Sequence, residues 1–367
     1  MRVLAVVLSL VMAMEPLAAL ESRRRPLSGP VKKSPRGVLL KGGAAKKVVA
    51  AVPLEEVSQV LKLVFGAGGI YGAFLYYGSL QEDVFRYRSA SGESFRQVWF
   101  LQALEALFNV CVGFLGLAVT GGSSKQLPLK LLGCTGATQV LAKYCTNAAL
   151  ARGVSFPVVT LAKSGKMVPV MMGSLLLGGA SYSLRQYLQV IMIVGGTAVV
   201  SFSKRKGSSN DGGTTLGLAF IVASLAFDGV TGGVQKRVKV EASKRGVLPK
   251  PYDYMFWTNV YMLLTALVFA ALQQELPSGI AFCTANPEIL TKIVAFALCS
   301  AVGQSFIFYT IANFDPLVCT TVTTTRKIFS VLLSILLKGH TINATGWAGI
   351  SMACAGILAD VFSKRKH

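Results

Sequence analysis

The sequence predicts an all-α polytopic membrane protein of ten transmembrane helices, built as two inverted five-helix repeats. Three observations carry that fold class. The first is composition: of 367 residues, 53% are hydrophobic and 14% charged, and mean hydropathy is +0.56. A soluble domain carries about 25% charged residues. The second is block length. Ala106 to Ser124 and Tyr187 to Ser203 contain no charge, and Leu216 to Val234 contains only Asp228. Runs of about 20 apolar residues are long enough to cross a bilayer. The third is an internal register. A shift of 160 residues lays Thr160 on Thr320, Lys166 on Arg326, Ser174 on Ser334, Gly196 on Gly356 and Gly69 on Gly229. A repeat of five helices has to insert its second copy upside down, and inverted repeats with a site between them are a transporter architecture.

The elements follow in order. Residues 1–57 form a targeting or disordered basic segment. Arg2 to Leu20 has a positive start, an apolar run and a small-residue end, like a signal peptide or signal anchor. Ser22 to Lys47 is basic, without a single acid, and reads as disordered. Spans are expected at 58–80, 97–119, 129–150, 155–178 and 184–203, giving a first repeat over 58–203. Further spans at 213–235, 253–273, 289–311, 316–337 and 344–362 give a second repeat over 204–367 with a short basic tail.

The net charge of +21 belongs mostly to segments flanking the spans, so topology explains it better than nucleic acid does, and no nucleic-acid partner is expected. Lys236, Arg237, Lys239, Lys244, Arg245 and Lys250 crowd the loop after the sixth span, which places that loop and the C-terminus in the cytosol. The loop with Lys204, Arg205 and Lys206 falls on the opposite side. The seven cysteines include no C-x-x-C pair, and the two histidines are His340 and His367. No disulfide framework, metal site or cofactor is expected, and histidine-centred catalysis is excluded. Gly68-x-x-x-Gly72 and Gly229-x-x-x-Gly233 read as sites of close helix approach.

Charges inside spans are costly and mark function. Lys163 and Lys166 share one face of the fourth span. Arg326 and Lys327 follow a threonine-rich run that includes Thr323, in the ninth span. The repeat makes the two pairs pseudo-symmetric, with Lys166 on Arg326, and four converging cations suit a di- or triphosphate. Two acids, Glu105 and Asp228, lie well inside spans against five deep cations including Lys143, so acids alone do not neutralise the set. Tyr71 and Glu82 on the first span, Lys143 on the third, Asp228 on the sixth, Asn259 on the seventh and Gln304 on the eighth are further candidates to line the same cavity.

Ser300 to Phe308, with the block Thr323-Thr324-Thr325-Arg326-Lys327-Ile328-Phe329, resembles the eighth- and ninth-span signature of the nucleotide-sugar transporters of the drug/metabolite transporter superfamily. The branch it resembles is the B-type one, with UDP-galactose transporter-like proteins and the endoplasmic reticulum ATP/ADP exchanger. Phe227-Asp228-Gly229-Val230-Thr231-Gly232, Tyr76 to Glu82 and Leu161 to Lys166 are similar to that branch's sixth, first and fourth spans. The resemblance covers about residues 65–367 and implies ten helices, alternating access, and phosphates bound by the lysines of spans four and nine. It implies an antiporter, not an enzyme. The cargo would be a nucleotide sugar of the UDP-galactose or UDP-glucose class, or ATP/ADP, exchanged for a nucleotide across an endoplasmic reticulum or Golgi membrane. The bilayer is the one obligatory surround, and a homodimer is compatible with it. The long leader leaves a plastid-envelope sugar-phosphate/phosphate translocator as an alternative. From another class, an intramembrane transferase would need an embedded acid/base set, for which only Glu105 and Asp228 stand.

Overall fold

A computed structural model describes residues 54–165, 184–205, 212–247, 249–314, 316–339 and 342–364. The leader, Lys166 and the whole second half of the expected fourth span lie outside the described residues. Within them the chain is helical, with one isolated antiparallel bridge between Arg88 and Ser94. The helices are α1 (Leu54–Arg86), α2 (Val98–Val119), α3 (Leu129–Ala151), α4 (Phe156–Ser164), α5 (Leu184–Arg205), α6 (Gly212–Lys244), α7 (Pro251–Leu272), α8 (Glu275–Ala285), α9 (Pro287–Asn313), α10 (Pro316–Lys338) and α11 (Ala344–Lys364).

Five of them are long and apolar enough to cross a membrane: Val60–Arg86, Val98–Val119, Thr215–Lys244, Pro251–Leu272 and Pro287–Thr310. Shorter apolar helices run over Tyr187–Val200 and Ala344–Ala359. The third and ninth expected spans form helices α3 and α10, but these are not among the five. Lys130, Lys143 and Asn147 dilute the first; the threonine run, Arg326 and Lys327 dilute the second. Helices α1 and α6 have 33 residues each. At about 1.5 Å per residue they reach roughly 50 Å, well beyond a hydrocarbon core of about 30 Å.

Local sequence explains several boundaries. Pro251 and Pro287 stand in the first turns of α7 and α9, where a missing N–H costs nothing. Asp253 Oδ2 accepts the Lys250 N–H at 2.8 Å. The same carboxylate accepts from Ser123 Oγ at 2.9 Å and Ser124 Oγ at 2.6 Å, clasping the α2–α3 turn to the start of α7. That turn needs Gly121 and Gly122, at φ of 80° and 83°. The start of α2 is capped from a distance: Glu275 Oε2 accepts from Trp99 N at 2.6 Å and Phe100 N at 3.2 Å. Burial raises the Glu275 carboxyl above its ordinary 4.5, although the two amides pull the other way.

Helix α1 packs on α9 and α10, α2 on α7 and α9, and α3 on α6 and α7. Helix α4 packs on α10, α5 and α6, while α5 and α11 pair along their length. One apolar core joins α4, α5, α10 and α11 through Val159, Leu161, Ile193, Val331, Ile335 and Ile357. A second joins α1, α2, α8 and α9 through Leu80, Leu101, Phe282, Ile293 and Phe296. Trp99 is stacked between Tyr144 at 4.1 Å and Phe269 at 4.7 Å, binding α2, α3 and α7.

The eleven-residue helix α8, which carries Cys283, falls between the seventh and eighth expected spans and is too short to register as a span itself. One expectation is corrected. A methyl group added at Gly68, Gly72 or Gly233 would meet nothing within 4 Å, so these positions are not close-packing sites. Close approach occurs instead at Gly69, which faces the Phe306 ring, and between Gly196 and Gly349, each against the other's carbonyl.

Candidate functional site

The site is assembled where α1, α2, α3, α4, α6, α9 and α10 meet. Lys163 sits in the last turn of α4. Its Nζ lies 3.0 Å from Asp228 Oδ2 on α6 and donates to Thr146 Oγ1 on α3 at 3.0 Å. Thr146 and Ser224 share a hydrogen bond of 2.8 Å, holding α3 against α6 beneath the pair. Lys143, one helical stretch back on α3, donates to Glu105 Oε1 on α2 at 2.8 Å. The two acids deep in the bundle therefore each take one of the deep lysines.

Glu105 is a junction that sequence spacing does not reveal. Besides Lys143, its Oε1 accepts from Ser300 Oγ on α9 at 2.6 Å and Tyr77 OH on α1 at 3.2 Å. Asn109, one turn on, donates to Ser300 Oγ at 3.3 Å. Four helices converge on this one carboxylate. Gln81 Nε2 adds a 2.6 Å bond from α1 to Asn147 Oδ1 on α3. Asn259 and Gln304 are brought together across α7 and α9, at 3.4 Å.

Arg326 faces α1. Its Nη1 donates to the Phe74 carbonyl at 3.4 Å, and the guanidinium lies over the Phe74 ring at 4.8 Å. Its Nε is buried with no hydrogen-bond partner among the described residues. No carboxylate pairs with it there. The neighbouring Tyr71 OH shares a 2.7 Å bond with Thr325 Oγ1 and sets its ring edge-on to Phe329. Lys327 is half-buried on the same helix, and Thr323 Oγ1 returns to the Cys319 carbonyl at 2.9 Å. Glu82 lies further along: it accepts from Ser334 Oγ at 2.6 Å and pairs with Arg86 at 3.3 Å, beside an Asp83–Lys338 pair of 2.6 Å. These contacts link α1 to α10 at nearly constant sequence offset, so the two helices run parallel.

The structure thus packs the helix of Lys163 directly against the helix of Arg326 and Lys327. It draws Lys143 toward Glu105 and Lys163 toward Asp228. It sets Glu82 in the α1–α10 seam. Among the described residues no group of His, Cys, Asp or Glu could hold a metal ion. The arrangement offers cations and hydroxyls from several helices around one interior, suited to binding an anion.

Comparison with known proteins identifies the family. A family model described as the UAA transporter family matches residues 62–364. Solute carrier family 35 member B1 of Dictyostelium discoideum is 32% identical, over 84% of this chain and 78% of its own. UDP-galactose/UDP-glucose transporter 3 of Arabidopsis thaliana is 30% identical, over 83% and 93%. Adenosine 3'-phospho 5'-phosphosulfate transporter 1 of Homo sapiens is 31% identical, over 83% and 71%. A solved crystal structure 14% identical, covering 84% of this chain and 98% of its own at a TM-score of 0.52, shares the fold. With the family model spanning most of its length and relatives of this identity over four-fifths of it, the chain belongs to the UAA transporter family and is a membrane transporter, not an enzyme.

Proposed function

We propose that the protein is an antiporter that exchanges a nucleotide sugar or nucleotide for a nucleotide across an endoplasmic reticulum or Golgi membrane. The observation that carries this reading is Arg326: a partly buried guanidinium whose Nε–H is buried with neither a hydrogen-bond partner nor a paired carboxylate among the described residues, on a helix packed against that of Lys163. A buried cation without a counter-charge is strongly unfavourable in a membrane interior. An anion arriving at the Arg326–Lys327 step would supply the missing acceptors. The names of the relatives point to the class of anion, since one names UDP-galactose and UDP-glucose and another adenosine 3'-phospho 5'-phosphosulfate. What these share is a nucleoside carrying phosphates.

In this reading the phosphates dock on Lys163, Lys166, Arg326 and Lys327. The base and sugar contact Tyr71, Glu82, Lys143, Asn259, Gln304 and Thr323, and Asp228 lines the site beside Lys163. Two inverted five-helix halves rock about the occupied site. The helix pairings support the two-half arrangement. Exchanging each span for its counterpart 160 residues away turns α1–α9 into α6–α3 and α1–α10 into α6–α4, both of which occur, and returns α2–α7, α4–α10 and α5–α11 to themselves. Unloaded cations repel one another, so the loaded carrier reorients more readily, which favours exchange over net flux.

The test is counterflow uptake into liposomes carrying the purified full-length protein, with UDP-galactose, UDP-glucose, ATP, ADP and triose phosphate as alternative substrates. Uptake of a nucleotide or nucleotide sugar that depends on internal nucleotide is expected. Uptake of triose phosphate alone would move the protein to the sugar-phosphate translocators, and uptake independent of internal nucleotide would remove antiport.

A further inference from the structure

Two carboxylates lie deep in the bundle and each holds a lysine, but the two pairs are built differently. Glu105 is enclosed: its side chain is 2% exposed and takes donors from three other helices. It is a brace. Asp228 is 19% exposed and Lys163 24%, and the pair joins α6 to α4, the helix that packs on α10. The hydroxyl of Thr146 holds the lysine from behind at 3.0 Å, and the aspartate reaches it across from α6. The pair also has no twin. The 160-residue register sets Lys163 against Thr323 and Asp228 against Gly68, so this ion pair, which ties one half of the molecule to the other, is not repeated by the register.

We propose that Asp228 is a resident counter-anion, which holds Lys163 while the carrier is empty and yields it to a phosphate of the incoming substrate. The proposal rests on the reading of the cavity as a nucleotide site. It makes Asp228 a positioning residue that acts through Lys163. An ammonium in a poorly solvated cavity is costly to leave unpaired, and a partly buried carboxylate at 3.0 Å lowers that cost. The same carboxylate then competes with the substrate. It weakens binding, and it speeds release by recapturing the lysine as the phosphate departs. Affinity and turnover are therefore opposed, which a merely structural contact would not produce.

The experiment is trans-exchange by the full-length protein in liposomes, with KM and kcat measured for UDP-galactose or ATP, whichever the wild type carries. Asp228→Asn is expected to lower KM about tenfold and to lower kcat with it, a tenfold change being about 1.4 kcal/mol. In a Lys163→Ala background the same change should move neither constant by more than about twofold. Asp228→Glu keeps the charge and should stay within about threefold of wild type. A raised or unchanged KM in Asp228→Asn, or a lowered one that persists without Lys163, overturns the proposal. Should Asp228→Asn not accumulate, a tenfold change in Asp228→Glu overturns it as well. If the wild type exchanges none of these nucleotides, the nucleotide reading fails; if it exchanges them with an unshifted KM, only the role of Asp228 fails.

Discussion

Replacing Glu105 by glutamine tests whether the α2 carboxylate is what joins α1, α3 and α9. The change is nearly isosteric, so packing is kept while the charge is lost. Lys143 Nζ, 2.8 Å away, would then face a neutral amide, and its side chain is only 22% exposed. Removing one partner of a buried ion pair costs about 3–5 kcal/mol. Partial access of Lys143 to solvent puts the expected loss at the lower end, about 3 kcal/mol. The amide oxygen still accepts from Ser300 and Tyr77, so those bonds, each worth about 1 kcal/mol, largely survive. The assay is thermal unfolding of the purified protein in detergent, followed by tryptophan fluorescence because Trp99 lies on the same helix. Glu105→Gln should unfold several degrees lower. Adding Lys143→Met, which removes the stranded charge, should recover most of the loss. An unchanged midpoint in Glu105→Gln, or no recovery in the double variant, would refute the reasoning.

Arg326→Ala and Lys327→Ala should each reduce substrate affinity by roughly 10- to 150-fold, as expected for a charge-assisted contact of about 1.5–3 kcal/mol. Lys327→Arg should be milder but not silent, because a planar fork does not replace a compact ammonium; Lys125→Ala, on an exposed turn, should exchange near normally. Gly196→Leu should prevent α5 from docking on α11, because even a Cβ there meets the Gly349 carbonyl and Ala353, and the protein should be lost from a folded-fraction measurement by size exclusion. For Glu275 the folded carboxyl titrates above its ordinary 4.5. The folded state therefore holds that proton more tightly, and stability falls as pH rises from about 4.5 through the raised value, then levels off. Glu275→Gln should remove this slope from a plot of unfolding temperature against pH; an identical slope in the variant would count against it.

Much of the helix pattern was legible because apolar length is a one-dimensional signal. The ranges expected at 97–119, 129–150 and 316–337 match α2, α3 and α10 to within a residue. Helix α8 was not legible: Glu275–Ala285 contains Pro277 and Gly279, and its helicity comes from packing against its neighbours. The site was legible in part. Lys163, Lys143 and Arg326 announce themselves as charges in apolar surroundings. Their partners do not, since Glu105 meets Tyr77, Lys143 and Ser300 at separations of 28, 38 and 195 residues. No spacing rule reaches so far. The glycine motifs misled for the opposite reason: Gly68 and Gly72 have helical spacing, but their common face looks onto open space.

The parallel seam of α1 and α10 bears on how the chain is made. Tyr71 meets Thr325, Glu82 meets Ser334 and Asp83 meets Lys338, partners encoded 252 to 255 residues apart. At a synthesis rate of about 5–20 residues per second, α1 waits roughly 15–50 s for them. During that interval Glu82 lacks Ser334 and Asp83 lacks Lys338. Helix α1 is thus made early and is among the last of the described helices to be secured. A ribosome-stalled or truncated chain ending at Ala285 leaves it without α9 and α10, the two helices on which most of its packing depends.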